Sequence, residues 1–174
     1  ERDRDGLNFI ERLHEKAKKT EYGFDSLGHL KSVKLHNNKK IEYILDGQNR
    51  RIAKKINGKI VQGFISQSQL QISAETDGSG KIVSRFIYGT KPNTPDYMIK
   101  KGRTYRIVSD QVGTPQLIVD VSTGKVTSDL AFDEFGNLAN RESDRDENGF
   151  ASTPFGFAGG IYDRDTGLVH FGER

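Results

Sequence analysis

The chain contains no cysteine and no tryptophan, a single methionine, and 4 prolines in 174 residues. The missing cysteines exclude disulfides, thiolate nucleophiles and cysteine-ligated zinc together, so stability has to come from packing and backbone pairing. No run of about eighteen apolar residues is present. Nor does a basic start lead into an apolar stretch and a small-residue cleavage site. The expectation is that these residues neither span a membrane nor carry a secretion signal of their own. A large charge excess is also lacking, since 27 Lys+Arg against 24 Asp+Glu leave +3. The densest basic stretches, Lys16, Lys18 and Lys19 and then Lys39 and Lys40, have neither interleaved aromatics nor a base-reading module, so they read as solvated lysines and no nucleic-acid partner is expected.

What is abundant is glycine, at 19 residues, together with 29% charged residues against only 33% hydrophobic. Turns must therefore be frequent and the core thin, which argues against a compact helical bundle. Near the start, Leu7, Ile10, Leu13, His14 and Ala17 recur at helical spacing, and the acidic start and basic end suit the helix dipole. This predicts one amphipathic helix over about residues 6 to 19. From Glu21 onward the period changes to two, as in Lys31-Ser-Val-Lys-Leu35, Lys40-Ile-Glu-Tyr-Ile-Leu45 and Lys59-Ile-Val-Gln-Gly-Phe-Ile65. The intervening Leu27-Gly28, Asp46-Gly47, Asn57-Gly58 and Asp77-Gly78-Ser-Gly80 read as hairpin turns, because Asp-Gly and Asn-Gly supply the positive φ of two-residue loops.

The hairpins resemble one another. An aromatic residue is followed by an aspartate three on, a glycine three further, and then an aliphatic. Tyr22, Asp25, Gly28 and Leu30 form one copy. Tyr43, Asp46 and Ile52 form another, with Asn49 replacing the glycine, a residue that tolerates the left-handed conformation. Looser copies are Phe132-Asp133-Glu-Phe-Gly136-Asn-Leu138 and Tyr162-Asp163-Arg-Asp-Thr-Gly167-Leu168. A short internal period marks a repeat architecture, and one hairpin alone is marginal in water, so the units are expected to pair edge to edge. The rings expected to build the packed wall are Tyr22, Tyr43, Phe86, Tyr105, Phe132 and Tyr162.

Three stretches carry a family resemblance: Tyr105-Arg-Ile-Val-Ser-Asp-Gln-Val-Gly-Thr-Pro-Gln-Leu117, Asp133-Glu-Phe-Gly-Asn137, and Pro154 through Gly172. With Ala74 to Gly89 they extend it over roughly Tyr22 to Arg174. The chain resembles the YD repeats of the Rhs family, and its second half is similar to the Rhs repeat-associated core segment. The resemblance implies an all-β array of antiparallel hairpins forming part of a spiralling shell wall, preceded by the one N-terminal helix. The corresponding divisions are a helical segment over 1–20, YD-repeat hairpins over 21–104 and the core segment over 105–174. It also implies a structural role in a shell that encapsulates and delivers a C-terminal toxin, like the shell component of Tc toxins and the teneurin YD shells. Partners would be the remaining shell segments, the toxin domain and components of a secretion machine, often type VI. Such a protein is made in the bacterial cytoplasm and is secreted or delivered to a target cell. A rival reading is a carbohydrate- or protein-binding β module with no cargo.

The family cuts itself by an aspartyl mechanism beside an Asp-Pro-x-Gly-Leu motif. Asp165, in Asp165-Thr166-Gly167, is the candidate half of that catalytic pair. The sequence stops at Arg174, before the second aspartate motif, so the expectation for the chain alone is no enzymatic activity. Locally, Asp165 reads instead as an Asx-type turn before Gly167, with Asp163 as the repeat aspartate. Asp144, Asp146, Asn148 and Gly149 have calcium-loop spacing, but Phe155 stands where the bidentate glutamate belongs. His14, His29, His36 and His170 form no short metal-ligand spacing. No glycine-flanked elbow surrounds Ser109, and no phosphate-cradling loop is present. No cofactor or metal is expected.

Overall fold

The protein is described from a computed structural model that covers residues 19–133, 135–139 and 152–172. The helix expected over about 6 to 19 and the calcium-loop-like stretch at Asp144 to Gly149 fall outside the described residues. From Glu21 the chain is built of antiparallel β-strands, as the alternation predicts. Eleven strands form one sheet in strict chain order. They are β1 (Glu21–Phe24), β2 (Leu30–Lys34), β3 (Lys40–Leu45), β4 (Arg51–Ile56), β5 (Lys59–Ser66), β6 (Ile72–Asp77), β7 (Ile82–Ile87), β8 (Tyr97–Lys100), β9 (Arg103–Ser109), β10 (Pro115–Asp120) and β11 (Val126–Asp129). A separate hairpin, β12 (Ile161–Asp163) and β13 (Leu168–His170), comes after a short 3₁₀ turn at Phe157–Gly159.

The repeat aspartate explains how so many reversals are made. Asp25 Oδ1 accepts from the backbone N–H groups of Leu27 and His29, both at 2.9 Å. Asp46 does the same for Gln48 and Arg50, Asp77 for Ser79 and Lys81, Asp110 for Val112 and Thr114, and Asp133 for Phe135 and Asn137. Each carboxylate thus satisfies two N–H groups that the turn would leave bare. The fourth residue of each loop takes a left-handed backbone, with Gly28 at φ 84° and Asn49 at 59°. This corrects the two-residue reading of the two Asp-Gly turns. Gly47 and Gly78 have no positive φ, whereas Asn49 and Gly80 do, so these loops are aspartate-closed and longer. Asn57-Gly58 is a two-residue turn, joining the paired residues Ile56 and Lys59. So is Lys101-Gly102, between Lys100 and Arg103, which carries no Asn-Gly or Asp-Gly signal.

One face of the sheet is covered by the chain's own C-terminal part. Its larger apolar cluster joins Phe64, Ile72, Phe86, Met98, Ile107 and Ile118 on the strands to Leu130, Leu138, Phe155 and Tyr162 from beyond them. A smaller cluster of Val33, Ile41 and Tyr43 packs against Leu168. Of the six expected wall rings, Tyr43, Phe86 and Tyr162 are buried. Tyr105 and Phe132 pack half-buried against the larger cluster. Tyr22 departs from the expectation: it is 51% exposed. It lies on β1, whose only pairing among the described residues is to β2, so no strand on its outer side shields the ring.

Phe155 is 1% exposed and meets Phe86 edge to face at 5.0 Å between ring centres. Phe155→Ala is expected to cost about 3–5 kcal/mol, since it removes the covering ring and leaves a cavity. Urea denaturation of the variant beside the parent measures the difference.

Candidate functional site

A buried cluster of charge lies where the β12–β13 hairpin meets β3 and β4. Alternation on β3 turns Ile41 and Tyr43 to the covered face, and antiparallel register sets Lys54 of β4 directly opposite Tyr43. Lys54 is buried there, so its ammonium loses water and has to be met by anions. The loop of the last hairpin supplies them. Lys54 Nζ donates to Asp163 Oδ1 at 2.6 Å and to Asp165 Oδ2 at 2.5 Å. The Tyr43 hydroxyl donates to Asp163 Oδ2 at 2.6 Å, and Lys39 Nζ donates to Asp165 Oδ1 at 3.1 Å. Above this, the Arg51 guanidinium stacks on the Tyr43 ring, 3.8 Å from its centre.

Two aspartates two residues apart thus have distinct tasks. Asp163 closes its own loop by accepting the Asp165 N–H at 2.9 Å, while the Thr166 and Gly167 N–H groups donate to its backbone carbonyl. It is therefore Asp163, not Asp165, that makes the Asx-type turn. Asp165 is left free to face the two lysines. Burial pushes its carboxyl upward, but the Lys54 and Lys39 ammoniums outweigh this and hold it below the ordinary carboxylate value. Tyr43 moves the other way: burial, and then the Asp163 charge, raise its hydroxyl, so it stays a donor.

A second buried carboxylate lies on the same sheet. Glu75 of β6 accepts from Gln62 Nε2 at 2.6 Å and from Ser84 Oγ at 3.1 Å. Its burial outweighs these bonds and raises its pKa. In the β7–β8 loop, Asp96 accepts from the N–H groups of Gly89 and Thr90, the Thr90 hydroxyl and Arg106. Burial again opposes ionisation, yet the Thr90, Gly89 and Arg106 bonds bring it down to about 2. His170 is lowered to about 4, first by burial and then by the Arg51 charge.

The sequence singled out Asp165 and, as a wall ring, Tyr43; the fold brings the two to one network. It missed Lys54, whose pattern signal is weak because one lysine in Lys54-Lys55 looks like the other, and only the register puts Lys54 under the hairpin. Lys39, read as solvated, is ion-paired to Asp165. Among the described residues no three His, Asp or Glu side chains are grouped to hold a metal. The geometry is that of an electrostatic clamp fixing where the last hairpin docks.

Removing one partner from a buried ion pair leaves the other charge uncompensated, so Lys54→Met is expected to cost about 3–5 kcal/mol in urea denaturation. Lys40→Met, whose ammonium pairs with Glu42 at the surface, is expected to leave stability nearly unchanged.

The pH dependence follows from His170. Its ordinary pKa is 6.5 and its folded value about 4, so between these the unfolded chain takes a proton that the native chain refuses. Stability therefore falls as pH drops through that window. Glu75 opposes this above its ordinary 4.5, because there the native chain keeps a proton that the unfolded chain releases. The lowered carboxyls, Asp96 and Asp165 among them, add their loss only below the ordinary carboxylate value of 3.8. In His170→Gln, the urea midpoint is expected to fall less than in the parent between pH 6.5 and 4, with both losing stability alike below that.

Comparison with known proteins places the chain. The Teneurin YD-shell family pattern matches residues 3–174. Teneurin-1 of Gallus gallus is 28% identical over 137 residues, which is 77% of this chain and 5% of the relative. Teneurin-3 of Mus musculus is 30% identical over 135 residues, 76% of this chain and 5% of the relative. The tRNA3(Ser)-specific nuclease WapA of Bacillus spizizenii is 27% identical over 132 residues, again 76% and 5%. Among solved structures, the crystal structure of TcdB2-TccC3 aligns with a TM-score of 0.42 and 15% identity, over 68% of this chain and 7% of that one. The chain thus spans about a twentieth of the curated relatives it matches. The match over nearly its whole length, on a sheet built of aspartate-closed hairpins in chain order, shows that the chain belongs to the Teneurin YD-shell family, in which this segment has a structural, shell-forming role.

Proposed function

We propose that the chain is a section of wall in a β-shell that encapsulates a toxin domain carried C-terminal to it and delivers it in bacterial competition or virulence. The observation that carries the reading is the uninterrupted sheet. Eleven strands pair only with their chain neighbours, which among the described residues leaves β1 and β11 each with one free edge. Such edges invite further strands of the same kind on both sides. The exposed Tyr22 and Phe24 on β1 are what a preceding hairpin would cover. The relative named as a tRNA nuclease, WapA, favours a cargo that acts on nucleic acid after release, with export from the producing cell.

Asp165 takes its part in self-cleavage in the form its surroundings allow. With Lys54 and Lys39 holding it ionised, it is the proton-accepting member of an aspartyl pair, and a second aspartic acid from a later motif keeps the shared proton. Within the described residues it also anchors the hairpin, and the two tasks are separable by experiment.

The product of the complete reading frame around this chain is the material for the test. Its C-terminal domain is expected to resist trypsin while the shell is intact and to become digestible after mild denaturation. Asp165→Asn is expected to leave that protection in place while abolishing self-cleavage. Continued cleavage in Asp165→Asn would reduce the residue to an anchor. Saturable sugar binding on a glycan array, with a C-terminal domain that trypsin digests freely, would overturn the shell reading in favour of a binding module.

A further inference from the structure

Among the described residues the β12–β13 hairpin is a sheet of its own, with no strand pairing to the eleven-stranded sheet. Its ties to β2, β3 and β4 are made by side chains. Lys54, Lys39 and Tyr43 bond to Asp163 and Asp165, and Leu168 packs against Val33, Ile41 and Tyr43. Opening the hairpin would return the lysines and carboxylates to water together, so the ion pairs resist it only weakly. Once released, a lone two-stranded hairpin is marginal in water, and its ladder amides become open to exchange.

The seat of β13 suits a neutral histidine and not a charged one. His170 and Arg51 line one cavity with Asn49, and His170 Nε2 is buried there with no hydrogen-bond partner. A neutral imidazole can leave one ring nitrogen as a bare acceptor, whereas an imidazolium has to donate from both. Its Nε2–H would have no acceptor in hydrogen-bonding position, beside a guanidinium that is only 5% exposed and itself has a buried, unbonded Nε. Asn49 is turned elsewhere, its Nδ2 donating to the Gly172 carbonyl at 3.5 Å. The other charges around the seat are engaged. Asp163 and Asp165 serve the lysines, Arg50 pairs with Asp46 at 2.7 Å, His29 Nδ1 lies 3.1 Å from Asp25, and Arg164 lies over the Tyr162 ring. Burial, and then the Arg51 charge, accordingly lower the pKa of His170 to about 4. Asp165 keeps its charge to below the ordinary 3.8, so acid reaches His170 before it reaches that part of the clamp.

We propose that the β12–β13 hairpin is an acid-released latch: when His170 takes a proton, the hairpin lifts off β3 and β4 while the eleven-stranded sheet stays paired. The loss is local, in contrast with the fall of overall stability in acid. It is independent of any cargo, because every group involved belongs to this chain.

Native-state hydrogen exchange of the whole chain tests it, read by NMR between pH 6.5 and 4 and corrected for the intrinsic exchange rate. Relative to His170→Gln, the opening constant of the β12–β13 amides in the parent is expected to rise by about tenfold for each pH unit of acidification. The amides of β5 to β9 are expected to keep their protection in both proteins. Glu75 acts in the opposite sense above 4.5 but equally in parent and variant, so the ratio isolates His170. The same pH dependence in the two proteins would overturn the latch, as would β5 to β9 losing protection in step with the hairpin. Should His170→Gln fail to fold, the ring resonances of His170 in the parent decide. They are expected to remain those of the neutral imidazole until the hairpin amides lose protection. Titration near the ordinary 6.5 with the hairpin still protected would show that the seat accepts the charged ring, and the latch would be abandoned.

Discussion

A buried ammonium has to be answered, and in this protein that obligation falls on Lys54. Its position is dictated by the pairing of β3 with β4, which places it opposite Tyr43 on the covered face. Little water reaches it, and the two carboxylates that meet it come from a loop more than a hundred residues later in the chain. An ion pair of this kind contributes little net stability over an apolar contact. What it does supply is location, because only one placement of the β12–β13 hairpin brings Asp163 and Asp165 to Lys54 at once and lets Leu168 close over Val33, Ile41 and Tyr43.

The sheet has the complementary character. Each hairpin is made locally, by an aspartate that binds the backbone of its own loop and by a left-handed residue three positions on. Such units are stable only when stacked, and chain order is the simplest stacking available. The cost of a one-layer sheet is that one face must be covered by something. Here the cover is partial: Phe155, Tyr162 and Leu138 shield β5 to β10, whereas β1 keeps its aromatics in solvent.

Membership of the Teneurin YD-shell family joins these two features. Local turns let a shell be built from many similar units, while the buried charge network ties the end of the described chain to strands far earlier in sequence. The same aspartates that look alike in sequence thus divide into turn closers, such as Asp25 and Asp133, and one, Asp163, that closes a turn and anchors the sheet as well.

Much of this was legible in the residues. Period-two alternation gave the strands, and the aromatic, aspartate and glycine spacing gave the repeat; the stretch from Pro154 to Gly172 marked the family. Asp165 stood out as a candidate because of the triplet it heads. Other matters lay beyond any local pattern. Gly47 and Gly78 look like turn glycines, yet the left-handed position falls two residues later, because the aspartate hydrogen bonds select the longer loop. Tyr22 matches the repeat as well as Tyr43 does, but only strand neighbours and the returning hairpin decide which ring is buried. Sequence by itself determined the elements and their order, since propensity, turn chemistry and short-range hydrogen bonds act within a few residues. Tertiary structure alone decided that Lys54 rather than Lys55 is the anchored cation, and that Arg51, His170 and Asn49 share a cavity, because burial and charge balance are set by groups that meet only when distant strands pair.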